Sequence, residues 1–230
     1  MVKAFIFDLG NTLIEYPAPE KLKENCAEFA HQMKISGEIL NRMHELYMKN
    51  RREGFESFRE ATVETALTEA LQESGREVSD LEILELVEEI YHYGFGRLAV
   101  PIEGGIGLMK ALKERGMKTG IISNTPLPGF LFMKDLDRFD LLQYFDDLIF
   151  SADFGKRKPS PDIFRASLRN LGVKAHEAVY TGDSLDRDVK GSQDAGMKSI
   201  WLNRKGRQEE HGGYVVSSLI QILAIKELFA

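Results

Sequence analysis

Four groups of reactive side chains recur along this chain, each at the end of a short apolar run or in the loop beside one. Asp8 closes Ala4-Phe5-Ile6-Phe7 and is followed at once by Leu9-Gly10-Asn11-Thr12. Ser123-Asn124 closes Thr119-Gly120-Ile121-Ile122, and Lys158 lies in Gly155-Lys156-Arg157-Lys158-Pro159. Ala178-Val179-Tyr180 then leads into Gly182-Asp183-Ser184-Leu185-Asp186-Arg187-Asp188. A carboxylate delivered by a strand into a turn is placed to act as a nucleophile.

Taken singly, each segment has a plain structural reading. Asp8 could cap a helix or a turn. Ser123-Asn124-Thr125-Pro126 could end a strand, and Lys158-Pro159-Ser160-Pro161 could lead into a helix starting near Pro161. Asp183, Asp186 and Asp188 could cap and decorate the helix that follows them. Their order and their common position at strand ends favour one shared site. Within it, Asp186 and Arg187 read as surface residues, and Asn50-Arg51-Arg52-Glu53-Gly54-Phe55 reads as a solvated loop.

The elements that would position these groups follow from periodicity. Strand-like runs occur near residues 3–8, 118–123, 147–151, 178–182 and 198–202. Helix-length segments at 103–115, 161–171 and 185–195 stop at Gly116, Gly172 and Gly196. Such alternation argues for an α/β fold with a doubly wound parallel sheet, whose ligands bind at the carboxyl ends of the strands. Residues 16–99 break the pattern and read as four amphipathic helices inserted after the first strand, which leaves 1–15 and 100–230 as the core. Leu22, Cys26, Phe29, Ala30 and Met33 form one apolar stripe, and Ile39, Leu40, Met43, Leu46 and Tyr47 a second. Ser57-Phe58-Arg59-Glu60 and Ser79-Asp80-Leu81-Glu82 have the form of capping boxes, and Gly75 ends the third helix. Tyr16-Pro17-Ala18-Pro19 and Val100-Pro101 are the expected hinges. Near the end, 203–213 reads as a surface loop and 219–228 as a terminal helix.

A chain of 230 residues with 43% hydrophobic and 29% charged content is an ordinary globular composition with room for one core and a smaller module. The net charge of −6 gives no reason to expect nucleic acid or an anionic membrane as partner. The single Cys26 excludes an internal disulfide and a cysteine-rich metal site, so a cytoplasmic location is the default expectation. No run approaches the length of a membrane span. A monomer or a homodimer is expected.

With these residues in this order, the chain resembles the haloacid dehalogenase-like (HAD) superfamily, in its phosphatase form with a helical cap after strand one. The resemblance implies a Rossmann-like core, a small phosphorylated substrate and an essential Mg2+ ion. It further implies that Asp8 is the nucleophile that accepts the phosphoryl group and also touches the metal, to which Gly10 gives its backbone carbonyl. Ser123 and the amide of Asn124 would bind the phosphoryl oxygens, Lys158 would neutralise charge, and Asp183 and Asp188 would hold the metal. One departure stands out: phosphatases of this family usually carry a second Asp two positions after the nucleophile, as general acid and base, and here that position is Gly10. Glu15, His31, His44 and His92 are the available substitutes in the cap region. Two other activities are compatible with the resemblance, a 2-haloacid dehalogenase and a quiet member that only binds a phosphorylated ligand. Dehalogenases need no metal, and Gly182-Asp183 argues against that alternative.

Overall fold

A computed structural model describes residues 1–17, 30 and 35–230. In chain order its first elements are β1 (Ala4–Phe7), β2 (Ile14–Glu15), α1 (Gly37–Glu53), α2 (Val63–Glu73), α3 (Asp80–Gly94) and β3 (Val100–Pro101). The remainder comprises α4 (Gly105–Glu114), β4 (Lys118–Ser123), α5 (Gly129–Arg138), β5 (Asp147–Phe150), α6 (Ser151–Phe154) and α7 (Pro161–Leu171). It closes with β6 (Ala178–Gly182), α8 (Gly191–Asp194), β7 (Lys198–Leu202) and β8 (Tyr214–Val216).

All four residues of β1 are fully buried, as suits a central parallel strand covered on both faces. The strand pairs in parallel with β4 on one side and β6 on the other, and the full order is β5-β4-β1-β6-β7-β8. Alternate side chains of β1 serve different cores. Phe5 and Phe7 join Leu108, Leu112 and Leu136 of α4 and α5, whereas Ala4 and Ile6 join Ile163, Phe164 and Leu171 of α7. The strand order reverses at β1, so the crevice over its carboxyl end is the place where ligands bind in such sheets. Asp8 is the first residue beyond that end.

The five strands expected from sequence are all present, within one residue at each end, and α7 spans the expected 161–171. The sheet has a sixth strand, β8, pairing in parallel with β7, which the three-residue run Tyr214–Val216 was too short to announce. The expected terminal helix is instead two short 3-10 turns, Leu219–Ala224 and Lys226–Leu228, whose Leu219, Ile222 and Leu228 plug the core. The expected helix over 185–195 begins as a wide π-type segment, Leu185–Lys190, before α8, and this winding buries both Asp188 and Val189. Helix α5 fills a gap to which the pattern assigned no bounds.

In the insert, the second apolar stripe lies on α1, and Leu46 packs against Ala66 and Ala70 of α2. The first stripe, save Ala30, and His31 fall outside the described residues. The Ser79 capping box forms with Glu82 at the start of α3. The Ser57 box does not form. Thr62 caps α2 instead, and Glu60 accepts a hydrogen bond from Ser151 Oγ at 2.6 Å, so the core takes the carboxylate that the cap would have used. Asn50 to Glu53 are the last turn of α1 rather than a loop. A short antiparallel pair, β2 with β3, closes the base of the insert. Among the described residues no helix is long and apolar enough to cross a membrane.

Candidate active site

The loops after β1, β4 and β6 and the turn before α7 converge on one cavity of about 200 Å3. Asp8, Gly10, Ser123, Asn124, Lys158, Asp183 and Asp188 all line it, although they come from positions up to 180 residues apart in the chain. Tyr16, Phe95 and Phe132 form its apolar wall. Parallel pairing of β1 with β4 and β6 is what brings these strand ends level.

Lys158 is 3% exposed, and its ammonium uses all three protons. Nζ donates to Asp8 Oδ1 at 2.6 Å, to Asp188 Oδ1 at 2.8 Å and to the Tyr180 hydroxyl at 2.7 Å. Tyr180 in turn donates to the carbonyl of Ile122 at 2.9 Å. Asn124 clamps the lysine from outside: its Oδ1 accepts from Lys158 N at 2.7 Å and its Nδ2 donates to Lys158 O at 2.9 Å. The side chain of Asn124 therefore has a task separate from the backbone amide expected to bind oxygens. Thr12 Oγ1 donates to the other oxygen of Asp8 at 3.3 Å, and Ser184 N to Asp188 Oδ2 at 2.9 Å.

Gly182 is required by this packing. A Cβ there would sit 2.4 Å from Asp188 Cγ, so only glycine lets the acid fold back beneath the strand end. Gly10 is different. A Cβ at that position would meet only Tyr16 Cδ2, at 3.8 Å, so the missing carboxylate is not a consequence of space.

The site holds more negative charge than its lysine balances. Burial, with the charges of Asp188 and Asp183, pushes the Asp8 carboxyl up to about 6 against the pull of Lys158. Burial and Asp188 likewise raise Asp183. Burial pulls the Lys158 ammonium down, but Asp188 and Asp8 outweigh it and the net direction is up. Ligand oxygens of Asp8, Asp183 and Asp188 lie within 4.8 Å of one another. Three crowded carboxylates, two of them paired with one lysine, fit a small hard cation, because oxygen donors of that charge suit Mg2+ and offset one another's repulsion through it.

Of the substitutes for the missing acid, Glu15 is exposed and paired with Arg204 at 2.9 Å, and neither His44 nor His92 lines the cavity. Sequence reasoning gave no role to Thr12 or Tyr180. Tyr180 sits inside a strand, where an aromatic residue is unremarkable, and Arg187 is exposed, as expected of a surface residue, while also lining the cavity. Only the fold brings either to the site.

The sheet is doubly wound, and the buried carboxylate–lysine centre lies at its switch point, where such sheets bind ligands. The haloacid dehalogenase-like hydrolase family model matches residues 5–202, and the chain belongs to that family. It is 32% identical over 143 residues to a glyceraldehyde 3-phosphate phosphatase of Methanocaldococcus jannaschii, covering 59% of this chain and 60% of that protein. It is 28% identical over 219 residues to a protein of the same name from Methanopyrus kandleri, covering 91% of this chain and 87% of that one. Among solved structures, a 2-haloacid dehalogenase from Pseudomonas syringae pv. Tomato superposes over the whole of both chains with a TM-score of 0.74 at 24% identity, which is a likeness of fold.

Proposed function

We propose that this protein is a magnesium-dependent phosphatase acting on a small phosphorylated metabolite through an aspartyl-phosphate on Asp8. The observation that carries this reading is the cluster of Asp8, Asp183 and Asp188, whose oxygens lie within 4.8 Å of one another, with Lys158 paired to Asp8 and Asp188. A dehalogenase has no use for the surplus acids, whereas a phosphatase needs them to bind its metal. The two named phosphatases above support the same class.

In this reading Asp8, Asp183, Asp188 and the Gly10 carbonyl would hold Mg2+. The metal, when bound, neutralises phosphate charge. An oxygen of Asp8 attacks phosphorus, the bond to the leaving oxygen breaks, and an acyl phosphate forms on Asp8. Ser123 and the Asn124 amide hold the phosphoryl oxygens, and Lys158 offsets their charge. Water then cleaves the acyl phosphate, returning the carboxylate and releasing inorganic phosphate. Position 10 supplies no proton to the leaving oxygen, so substrates that leave as stable anions are turned over best.

Residues 16–99 act as the cap over this cavity. Tyr16 and Phe95 reach its wall from the insert, and β2 with β3 forms the hinge. A cytoplasmic location and a monomeric or homodimeric state accompany the reading, with the lone Cys26 consistent with a reducing compartment.

The test is phosphate release from an aryl phosphate, with Mg2+ and with chelator, for the natural chain beside Asp8→Asn. Metal-dependent release that the substitution abolishes is the expected result. Equal release by both chains would refute the assignment of the nucleophile.

A further inference from the structure

A second cavity of about 90 Å3 adjoins the one that holds Asp8, and that neighbour carries a concentration of positive charge. Asn124, Thr125, Pro126 and Arg187 line both spaces. Arg51 of α1 and Arg157, from the turn that carries Lys158, complete the basic lining. Arg51 Nη1 donates to the Tyr47 hydroxyl at 3.2 Å, and Arg187 Nε donates to Ser184 Oγ at 3.2 Å. The guanidinium of Arg157 lies 5.8 Å from the centre of the Phe55 ring. Among the described residues none of the three arginines has a carboxylate within 4.0 Å. The one acid in the lining, Glu60, has an oxygen engaged by Ser151. Three guanidiniums against the one carboxylate of Glu60, which feels Arg157 and Arg51, leave a net positive lining in a chain whose net charge is −6.

From this we infer that the substrate bears a second anionic group, a carboxylate or another phosphoryl, on the part that leaves, and that Arg51, Arg157 and Arg187 bind it. The inference rests on the phosphatase reading and narrows its substrate class. Arg51 and Arg157 line the second cavity and not the one that holds Asp8 and Lys158, so they are placed for an anion other than the phosphoryl being transferred, with Arg187 between the two spaces. Guanidinium forks match the paired oxygens of either group. A small, partly open space of this kind suits an oxyanion. Arg51 comes from the insert and Arg157 and Arg187 from the core, so a bridging anion also holds the two parts together.

The probes are 3-phosphoglycerate and glycerol 3-phosphate, which differ by a carboxylate, and fructose 1,6-bisphosphate with fructose 6-phosphate for the second phosphoryl. In Mg2+ the doubly anionic member of at least one pair is expected to show a kcat/KM higher by about tenfold or more. That ratio should collapse in Arg51→Gln and Arg157→Gln, mainly through KM. Equal kcat/KM within both pairs for the natural chain would overturn the inference, as would variants that slow both members alike. The pair that discriminates tells carboxylate from phosphoryl. Calorimetric binding of the same probes to Asp8→Asn separates the two claims. A preference for the doubly anionic probe that Arg51→Gln abolishes upholds the inference even if no chain releases phosphate, while release without any preference refutes it and leaves the phosphatase reading standing.

Discussion

At the scale of single residues, the site is a problem of charge that two glycines solve differently. Gly182 has no freedom, since Ala would drive a Cβ into Asp188. Gly182→Ala should cost about 1–3 kcal/mol in urea unfolding, because the neighbouring acid has to shift. It should also shrink the rise in melting temperature that Mg2+ gives the natural chain, since displaced ligands weaken metal binding. An unchanged rise would show that Asp188 is not needed for the metal. Gly10 has room. Gly10→Asp should raise turnover of alkyl phosphates by up to about 10²-fold, the lower range of general acid–base assistance, and aryl phosphates less. Equal rates for the two chains on alkyl phosphates would mean that another group supplies the proton. Asp8 and Lys158 were legible in the sequence because both stand at the edges of regular elements. Tyr180 and Thr12 were not, because their roles depend on distances across the sheet.

At the scale of elements, the most informative segment is the stretch from Gly54 to Val63, which ties the insert to two loops of the site. Glu60 N donates to Gly155 O at 3.0 Å, Arg157 N to Phe58 O at 2.8 Å and Val63 N to Pro126 O at 2.9 Å. Ser151 completes the tie, accepting from Thr125 N at 2.8 Å while donating to Glu60. Ser151→Ala leaves a buried amide and a half-buried carboxylate short of a partner. The expected loss is about 1–3 kcal/mol, measured by urea unfolding, with slower turnover because Thr125 follows Ser123 and Asn124 directly. A variant as stable as the natural chain would show that the tie contributes little. The sequence suggested a helix cap at Ser57 because local pattern alone favours one there. A carboxylate that can reach a hydroxyl 91 positions away obeys a constraint that local pattern does not contain.

At the scale of the molecule, the chain is drawn together by the sheet and by a few surface pairs that span it. Lys3 and Glu177 meet at 2.6 Å beside the starts of β1 and β6. The bond to Lys3, with the Lys174 backbone amide, lowers the Glu177 carboxyl to about 2. Its stabilisation is therefore complete above the unfolded value of about 4.3 and fades as pH falls through about 2. The advantage of the natural chain over Glu177→Gln in urea midpoint should accordingly be present at pH 6, diminish towards pH 2 and shrink in high salt. A difference independent of pH would remove the ion pair as its cause.

The sequence by itself determined the alternation of strands and helices, the place of the insert and the residues at the strand ends. Each of these is written in short-range periodicity and in the chemistry of neighbouring side chains. The tertiary structure alone decided that Lys158 spends its three protons on Asp8, Asp188 and Tyr180, and that Arg51, Arg157 and Arg187 share one wall. It also decided that β8 joins the sheet and that Glu60 serves the core rather than a helix cap. The physical reason is the same in every case. Hydrogen bonds and charge interactions act over a few ångströms in space, and which residues come within that range is settled only when the strands pair.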